Sequence, residues 1–426
     1  MSNQMQTVHS DIATNDDLVI IDYQDLLLPP KSNDKSGATI EETTKRQKLH
    51  SMLHKAFGTS TSTSTSTSKN ESLGLIAIRN IPSFTQSKTS FLPLAHTLAT
   101  LPTTYLSQNL TDESSMYNAG WSHGKEKLKD DKPDLSKGCF YFNPIVDVPG
   151  SEEDRKLYPC SYPVNLWPGE DVIPGFEAGG KKLGCIMKDV VSLLATHIDD
   201  YVNMQSEFSA SDGRSKEGEE GGYNVCMGEE MKHTEKVKGR LLYYFPHEMN
   251  HNETNKDESA TSNNTNRNDA EIDSWIGWHN DSGFLTALAG DIYVDHDTGE
   301  IIPKDQIDPK AGLYIQDRSG HIRQICIPDD CMAIQIGECL QIVTGGHVVA
   351  TPHCVRGADP NWESSNDSRN TLIENKKKRK VARISFPCFV DTVPSFPLTV
   401  LPGRTRDDVF KNGVVGCAKV PPLEER

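Results

Sequence analysis

An all-β core flanked by helices is the architecture this 426-residue sequence predicts. Three observations carry it. Between Ile292 and Val343 short β-branched runs (Ile292–Val294, Gly312–Ile315, Ile322–Ile327, Met332–Ile336, Leu340–Val343) alternate with turns rich in Gly, Asp and Pro, the spacing of a β-sandwich or barrel. Lys182–Val202 instead repeats Leu183, Met187, Val190, Val191, Leu194, Ile198 and Tyr201 at three- and four-residue steps, which is a helix with one apolar face. Upstream, Leu18–Tyr23 and Leu73–Pro82 read as strands, and Phe91–Leu101 as a helix stopped by Pro102, giving an N-terminal α/β region.

In chain order, residues 1–16 are polar and expected to be disordered. Residues 17–160 form the N-terminal region, with a low-complexity insertion at 58–72; the wider segment 31–72, with its Thr/Ser alternation from Thr59 to Ser68, reads as a solvated insertion that buries no core. Residues 161–235 are helical support ending in an acidic, loop-like stretch at 206–222. Residues 236–395 form the β core, interrupted by polar insertions at 249–271 and 359–380, and 396–426 are a C-terminal extension. The second insertion ends in Lys376–Lys377–Lys378–Arg379–Lys380, read as a solvated basic loop with a nuclear import signal as the alternative.

Composition excludes several classes of function. With 44 basic and 60 acidic residues the net charge is −16, which argues against nonspecific nucleic-acid binding. No apolar run approaches the roughly 20 residues of a membrane span. Ten cysteines are scattered without a Cys-x-x-Cys pair, and no secretory leader follows Met1, so reduced thiols in the cytoplasm are expected. A monomer acting on a small molecule fits this composition.

The chemistry centres on Trp275–Leu288, which contains His279–Asn280–Asp281. Residues two apart on a strand point to one face, so an imidazole and a carboxylate can meet at one divalent ion. His353, in Thr351–Pro352–His353–Cys354–Val355, is the best third ligand, and His347 is its rival. Two histidines and one carboxylate on one face of a metal suit non-haem Fe(II) oxygenases, whereas catalytic zinc usually closes to four ligands. Thirty residues on, Arg383 and Ser385 again share a strand face, and Arg383 offers a planar fork for a carboxylate. Alone, His279 and Asp281 read as a hydrogen-bonded surface pair and Arg383 as a salt bridge at a strand end. His197, beside the apolar stripe of its helix, reads as a packed histidine.

The order His-x-Asp, distal His, Arg-x-Ser resembles the 2-oxoglutarate/Fe(II)-dependent dioxygenases. Gly277–Trp278–His279–Asn280–Asp281–Ser282–Gly283–Phe284–Leu285–Thr286–Ala287–Leu288 resembles the metal strand of their isopenicillin N synthase-like branch. Asn165–Leu166–Trp167–Pro168, Leu242–Tyr243–Tyr244–Phe245–Pro246 and Gly312–Leu313–Tyr314–Ile315–Gln316–Asp317 support the likeness. The resemblance implies a jelly-roll core (double-stranded β-helix). It implies Fe(II) on His279, Asp281 and His353, and the distal carboxylate of 2-oxoglutarate on Arg383 and Ser385. Tyr244 would add a hydroxyl to that cosubstrate, although Leu242 stands where the family's Asn-Tyr-Tyr-Pro has its Asn. The implied activity is hydroxylation or desaturation of a small organic substrate with O2, releasing succinate and CO2, with ascorbate as a reductant. By the same resemblance, Tyr117–Glu126 and Lys137–Pro144 approach the catalytic pocket and help choose the substrate; ordinary loop packing is the equal alternative. A 2-oxoglutarate-independent iron oxidase and a non-catalytic binding module are the competing functions.

Overall fold

A computed structural model describes residues 11–12, 18–29, 39–58, 72–126, 132–209, 225–246, 274–318, 320–359, 362, 379–401 and 404–411. The expected insertions 58–72, 249–271 and 359–380 and Lys376–Lys378 lie outside these residues except at their margins; within the terminal segments, Asp11–Ile12 is a strand, against the expected disorder of 1–16, and Arg406–Lys411 is a helix.

Fourteen strands are described: β1 (Asp11–Ile12), β2 (Val19–Asp22), β3 (Leu75–Arg79), β4 (Gly120–His123), β5 (Lys137–Phe142), β6 (Val237–Tyr244), β7 (Ser274–His279), β8 (Leu285–Asp295), β9 (Ile301–Ile302), β10 (Gly312–Gln316), β11 (Ile322–Ile325), β12 (Met332–Ile336), β13 (His353–Arg356) and β14 (Val381–Val390). They form two sheets. The smaller runs β1-β11-β10-β13-β7, and the larger β2-β3-β12-β8-β14-β6-β5-β4 with β9 beside β8. Pairing is antiparallel except for β1 with β11 and β2 with β3. β2 and β3, the two strands expected from the N-terminal region, therefore extend the large sheet.

Period-two alternation sorts each strand of the large sheet between two faces. On β14, Ala382, Ile384, Phe386 and Cys388 are fully buried and join the core cluster of the helix Phe176–Ser209, which contributes Leu183, Met187, Val190, Val191, Leu194 and Ile198. Phe386 stacks on Phe142 at 5.6 Å, and Phe91, at 5.5 Å, meets Phe386 edge-on. The other face looks toward the small sheet. There Leu242, Tyr244, Tyr293 and Ala333 form a second cluster with Leu313, Ile315 and Val355.

Several elements differ from their sequence expectation. The expected helix Phe91–Leu101 is instead the end of a helix Phe84–Phe91 followed by a separate helix Leu94–Ala99. Leu340–Val343 belongs to a helix, Glu338–Val343, rather than a strand. A run of four residues is too short to distinguish the two by period. Within the expected solvated segment 31–72, Ile40–Phe57 is a helix opened by a Thr39–Glu42 capping box and anchored by buried Leu49, Leu53, Ala56 and Phe57. The long helix runs on to Ser209, beyond the expected loop start at 206. His197 is buried and bonded to the Leu26 carbonyl at 3.0 Å, as expected of a packed histidine. Among the described residues no helix is long and apolar enough to cross a membrane, and nine cysteines are free thiols.

Asp199 gives a test of this packing. It accepts from the Gly228 N–H at 2.7 Å where the helix Met227–His233 docks on the long helix. Burial pushes its pKa from 3.8 up to about 7, partly opposed by hydrogen bonds from the Gly228 and Met227 backbone. The folded state thus binds this proton more tightly than the unfolded chain, so stability falls as pH rises from about 4 to 7. Asp199→Asn is expected to raise the melting temperature, by more at pH 8 than at pH 5. A pH-independent change would show that the carboxyl is not buried this way.

Candidate metal centre

β7 ends at His279 and β8 starts at Leu285 in the other sheet, so residues 280–284 cross between sheets and carry Asp281. The expectation that His279 and Asp281 share one strand is therefore corrected: Asp281 lies on the crossover. Its position is set by the start of the helix Glu338–Val343. The N–H groups of Gly337, Glu338 and Cys339 donate to the carbonyls of Phe284 (2.8 Å), Asp281 (2.8 Å) and Gly283 (3.0 Å). These helix-start donors would otherwise lack partners. Residue 337 must be Gly here, because a Cβ would collide with the Gly283 carbonyl. Asn280 Nδ2 donates to Glu338 Oε1 at 2.9 Å, and the Phe284 N–H to Asp391 Oδ1 at 2.9 Å.

His353 opens β13 and is the register partner of His279. The two rings lie 4.2 Å apart, inclined at 54°. His279 Nδ1 meets the Gly277 carbonyl at 2.8 Å, and His353 Nδ1 meets the Thr351 carbonyl at 3.1 Å. A carbonyl only accepts, so each Nδ1 carries the proton. The neutral rings then present Nε2 lone pairs, the arrangement that suits metal ligation. Burial and the neighbouring His353 hold the His279 imidazole well below its ordinary range, which favours the neutral form. His353 Nε2 lies 3.8 Å from Asp281 Oδ1, and one ligand atom from each of the three residues falls within 4.8 Å of the others. Asp281 Oδ2 is buried without a hydrogen-bond partner. A buried carboxylate oxygen with that vacancy is costly unless a cation completes it, so the donor set fits a divalent ion.

His347, the rival ligand, is not in this group. It is buried against the Arg404 guanidinium, with contacts of 2.9–3.3 Å, and burial beside that cation pushes its pKa down to about 4.

Arg383 sits across the large sheet between Tyr244 of β6 and Tyr293 of β8. It is 6% exposed, and its guanidinium lies 5.0 Å from the Tyr244 ring centre. Ser385, buried one step along the same face, is paired with Asp291 and Leu242 in register. Arg383 Nε donates to Asp291 Oδ2 at 2.9 Å, while its Nη1 is buried with no partner. Lys304 joins this end, 3.7 Å from Asp291 and 2.6 Å from Asp329. Arg383, with Lys304, holds the Asp291 carboxyl below its usual range against the effect of burial. Tyr244, Arg383, Ser385, His279, Asp281 and His353 all line one cavity of about 1120 Å³.

Asp291, Lys304, Lys238, Arg240 and Gln335 line the same cavity and did not stand out from the sequence. A signal existed for two of them, since Lys238 and Arg240 alternate with apolar or small residues along β6.

Solved structures share this architecture. Full-length Neurospora crassa T7H in complex with α-ketoglutarate superposes with a TM-score of 0.54 at 15% identity, over 95% of each chain. A 2OG-Fe(II) oxygenase family protein from Caulobacter crescentus gives 0.52 at 16% identity over 92% of each. The T7H complex with α-ketoglutarate and thymine gives 0.50 at 15%, over 93% of each. The chain has the fold of the 2-oxoglutarate/Fe(II) oxygenases. No protein-family model and no curated protein sequence matches it.

With this oxygenase fold, metal analysis after anaerobic loading with Fe(II) is expected to give one ion per chain. His279→Ala, Asp281→Ala and His353→Ala are each expected to lose it, and His347→Ala to keep it. Stoichiometric iron in His353→Ala together with loss in His347→Ala would reassign the third ligand.

Proposed function

We propose that this chain is an Fe(II)- and 2-oxoglutarate-dependent dioxygenase that hydroxylates or desaturates a small organic substrate, releasing succinate and CO2. The observation that carries the reading is the joint opening of two sites onto one cavity: the His279–Asp281–His353 donor set and the buried Arg383 guanidinium. On this reading the two sheets are the faces of a double-stranded β-helix, and the motif order belongs to the isopenicillin N synthase-like branch. The T7H complexes with α-ketoglutarate supply the analogy for the cosubstrate.

His279 and His353 would give Nε2 and Asp281 a carboxylate oxygen to Fe(II), with the Nδ1–H bonds to Gly277 and Thr351 fixing both rings. Held by these three residues, a ferrous ion would supply the O2 chemistry. Arg383 and Ser385 orient the cosubstrate from its far carboxylate, and the ring of Tyr244 holds the guanidinium in place. The buried walls around Tyr244, Tyr293 and Leu313 keep water from the reacting centre.

One observation favours a second reading. Asp291 already bonds the Nε edge of Arg383, leaving Nη1 as the buried donor without a partner. A 2-oxoglutarate-independent iron oxidase would use that remaining edge for a substrate anion.

Anaerobic titration of the Fe(II) protein with 2-oxoglutarate, followed through the visible charge-transfer band of the chelate, separates the two. Wild type is expected to saturate. Arg383→Lys keeps charge but loses the fork, and should need on the order of ten- to a hundredfold more ligand. Ser385→Ala, losing one neutral contact worth about 1 kcal/mol, should need about fivefold more. No band in wild type, with O2 uptake but no succinate, would select the oxidase.

A further inference from the structure

β6 turns Lys238, Arg240, Leu242 and Tyr244 into the cavity. Tyr244 lies at the Arg383 end, and Lys238 is six residues away at the other, about 20 Å along a strand. The charges at that far end are unevenly matched. Arg240 is paired with Glu126, which also meets Lys137 at 3.0 Å, and its guanidinium donates to Cys139 Sγ at 3.1 and 3.3 Å. Lys236 lies 3.6 Å from Asp391. Lys238 Nζ instead donates to two neutral acceptors, Asn118 Oδ1 at 2.7 Å and the Cys160 carbonyl at 3.3 Å. Among the described residues no carboxylate pairs with it, and an ammonium has a third N–H to offer. Burial pushes its pKa down to about 8, with Asp391 pulling the other way and Lys236 and Arg240 adding to the fall.

The Asn118 contact is held in place. Met116 and Tyr117 adopt φ of +54° and +62°, a backbone conformation uncommon outside glycine. The turn they form lets Asn118 Nδ2 donate to the Ser115 carbonyl at 3.0 Å. With its amide N–H so used, Asn118 can present only oxygen to Lys238. The face beside Lys238 is apolar and then polar. Phe389 is its register partner on β14, Thr286 is the partner of Phe389 on β8, and Gln335 is the partner of Thr286 on β12. Both polar atoms of the Gln335 side chain are buried without partners, and Gln335 lines the cavity.

We propose that Lys238 seats a carboxylate of the substrate to be oxidised, a small organic monoanion whose apolar body lies over Phe389 and whose far end meets the Gln335 amide. One unmatched cation sets the charge. A dianion would meet the Asp391 carboxylate, which lines the cavity, without a second unpaired cation. The proposal rests on the reading that this cavity takes the oxidised substrate. The surrounding Tyr117–Glu126 turn then takes part in choosing it, through Asn118.

Titration calorimetry of the full chain at pH 7 with benzoate and benzamide tests this, since the two probes share a ring and differ in charge. Benzoate is expected to bind at least tenfold more tightly. Lys238→Met and Lys238→Gln should both erase the preference, the second while keeping hydrogen bonds to Asn118 and Cys160. Lys238→Arg and Arg383→Lys should both keep it. The proposal is overturned if benzoate fails to bind, if benzamide binds equally well, or if the preference survives in Lys238→Gln and disappears in Arg383→Lys. No iron, O2 or 2-oxoglutarate enters this measurement. A missing 2-oxoglutarate band would therefore sink the dioxygenase reading and leave the comparison of probes intact.

Discussion

The whole arrangement depends on one crossing between sheets. His279 and His353 are neighbours on the small sheet, but a third donor must come from the gap toward the large one. Sheets packed face to face lie about 10 Å apart, and the five residues of the crossover can span roughly 17 Å when extended. The chain has length to spare, so length alone does not fix Asp281. What fixes it is the start of the helix Glu338–Val343, whose N–H groups take up carbonyls of the crossover, Asp281's among them. The same short helix positions His353 from the other side. Gln341, within it, accepts from the Ala350 N–H at 2.9 Å and donates to the Val409 carbonyl at 2.9 Å, holding the segment that leads into β13. A glycine that permits close approach and a two-turn helix thus bring all three donors together, although neither contributes a donor.

This explains which parts were legible in the sequence. His-x-Asp and Arg-x-Ser are local patterns, and both survive in three dimensions. His279, Asp281 and His353 converge, and Arg383, Ser385 and Tyr244 line the same cavity. The apolar stripe of the long helix and most core strands were legible for the same reason, since each repeats a period within one segment. The helix Ile40–Phe57 carried a readable capping box and a Leu49–Leu53–Ala56–Phe57 stripe, but the adjoining Thr/Ser tract drew the whole segment into an insertion. Leu340–Val343 was too short for its period to separate helix from strand. Asp291, Lys238 and Gln335 become meaningful only through register: Asp291 beside Ser385, and Lys238 reached from Gln335 through Thr286 and Phe389. No local pattern encodes pairing between segments so distant in sequence.

The placement of charge is the last constraint. The chain carries a net −16, yet its cavity is lined by cations at both ends, buried Arg383 at one and half-buried Lys238 at the other. At physiological salt the Debye length is about 8 Å, so the acidic exterior is largely screened from a small anion until it is close. At close range the attraction is screened less, and what each cation can offer depends on the partner it already has. The two ends also differ in kind. At one, Arg383 is already matched by Asp291 and backed by Lys304, so a carboxylate entering there must share or displace an existing pair. At the other, Lys238 meets only neutral groups, two oxygens and the Tyr141 ring. A dicarboxylate cosubstrate would gain from the first arrangement, were its other end anchored at an ion held by His279, Asp281 and His353. A monoanion without a metal anchor gains more from the second, where no resident carboxylate competes.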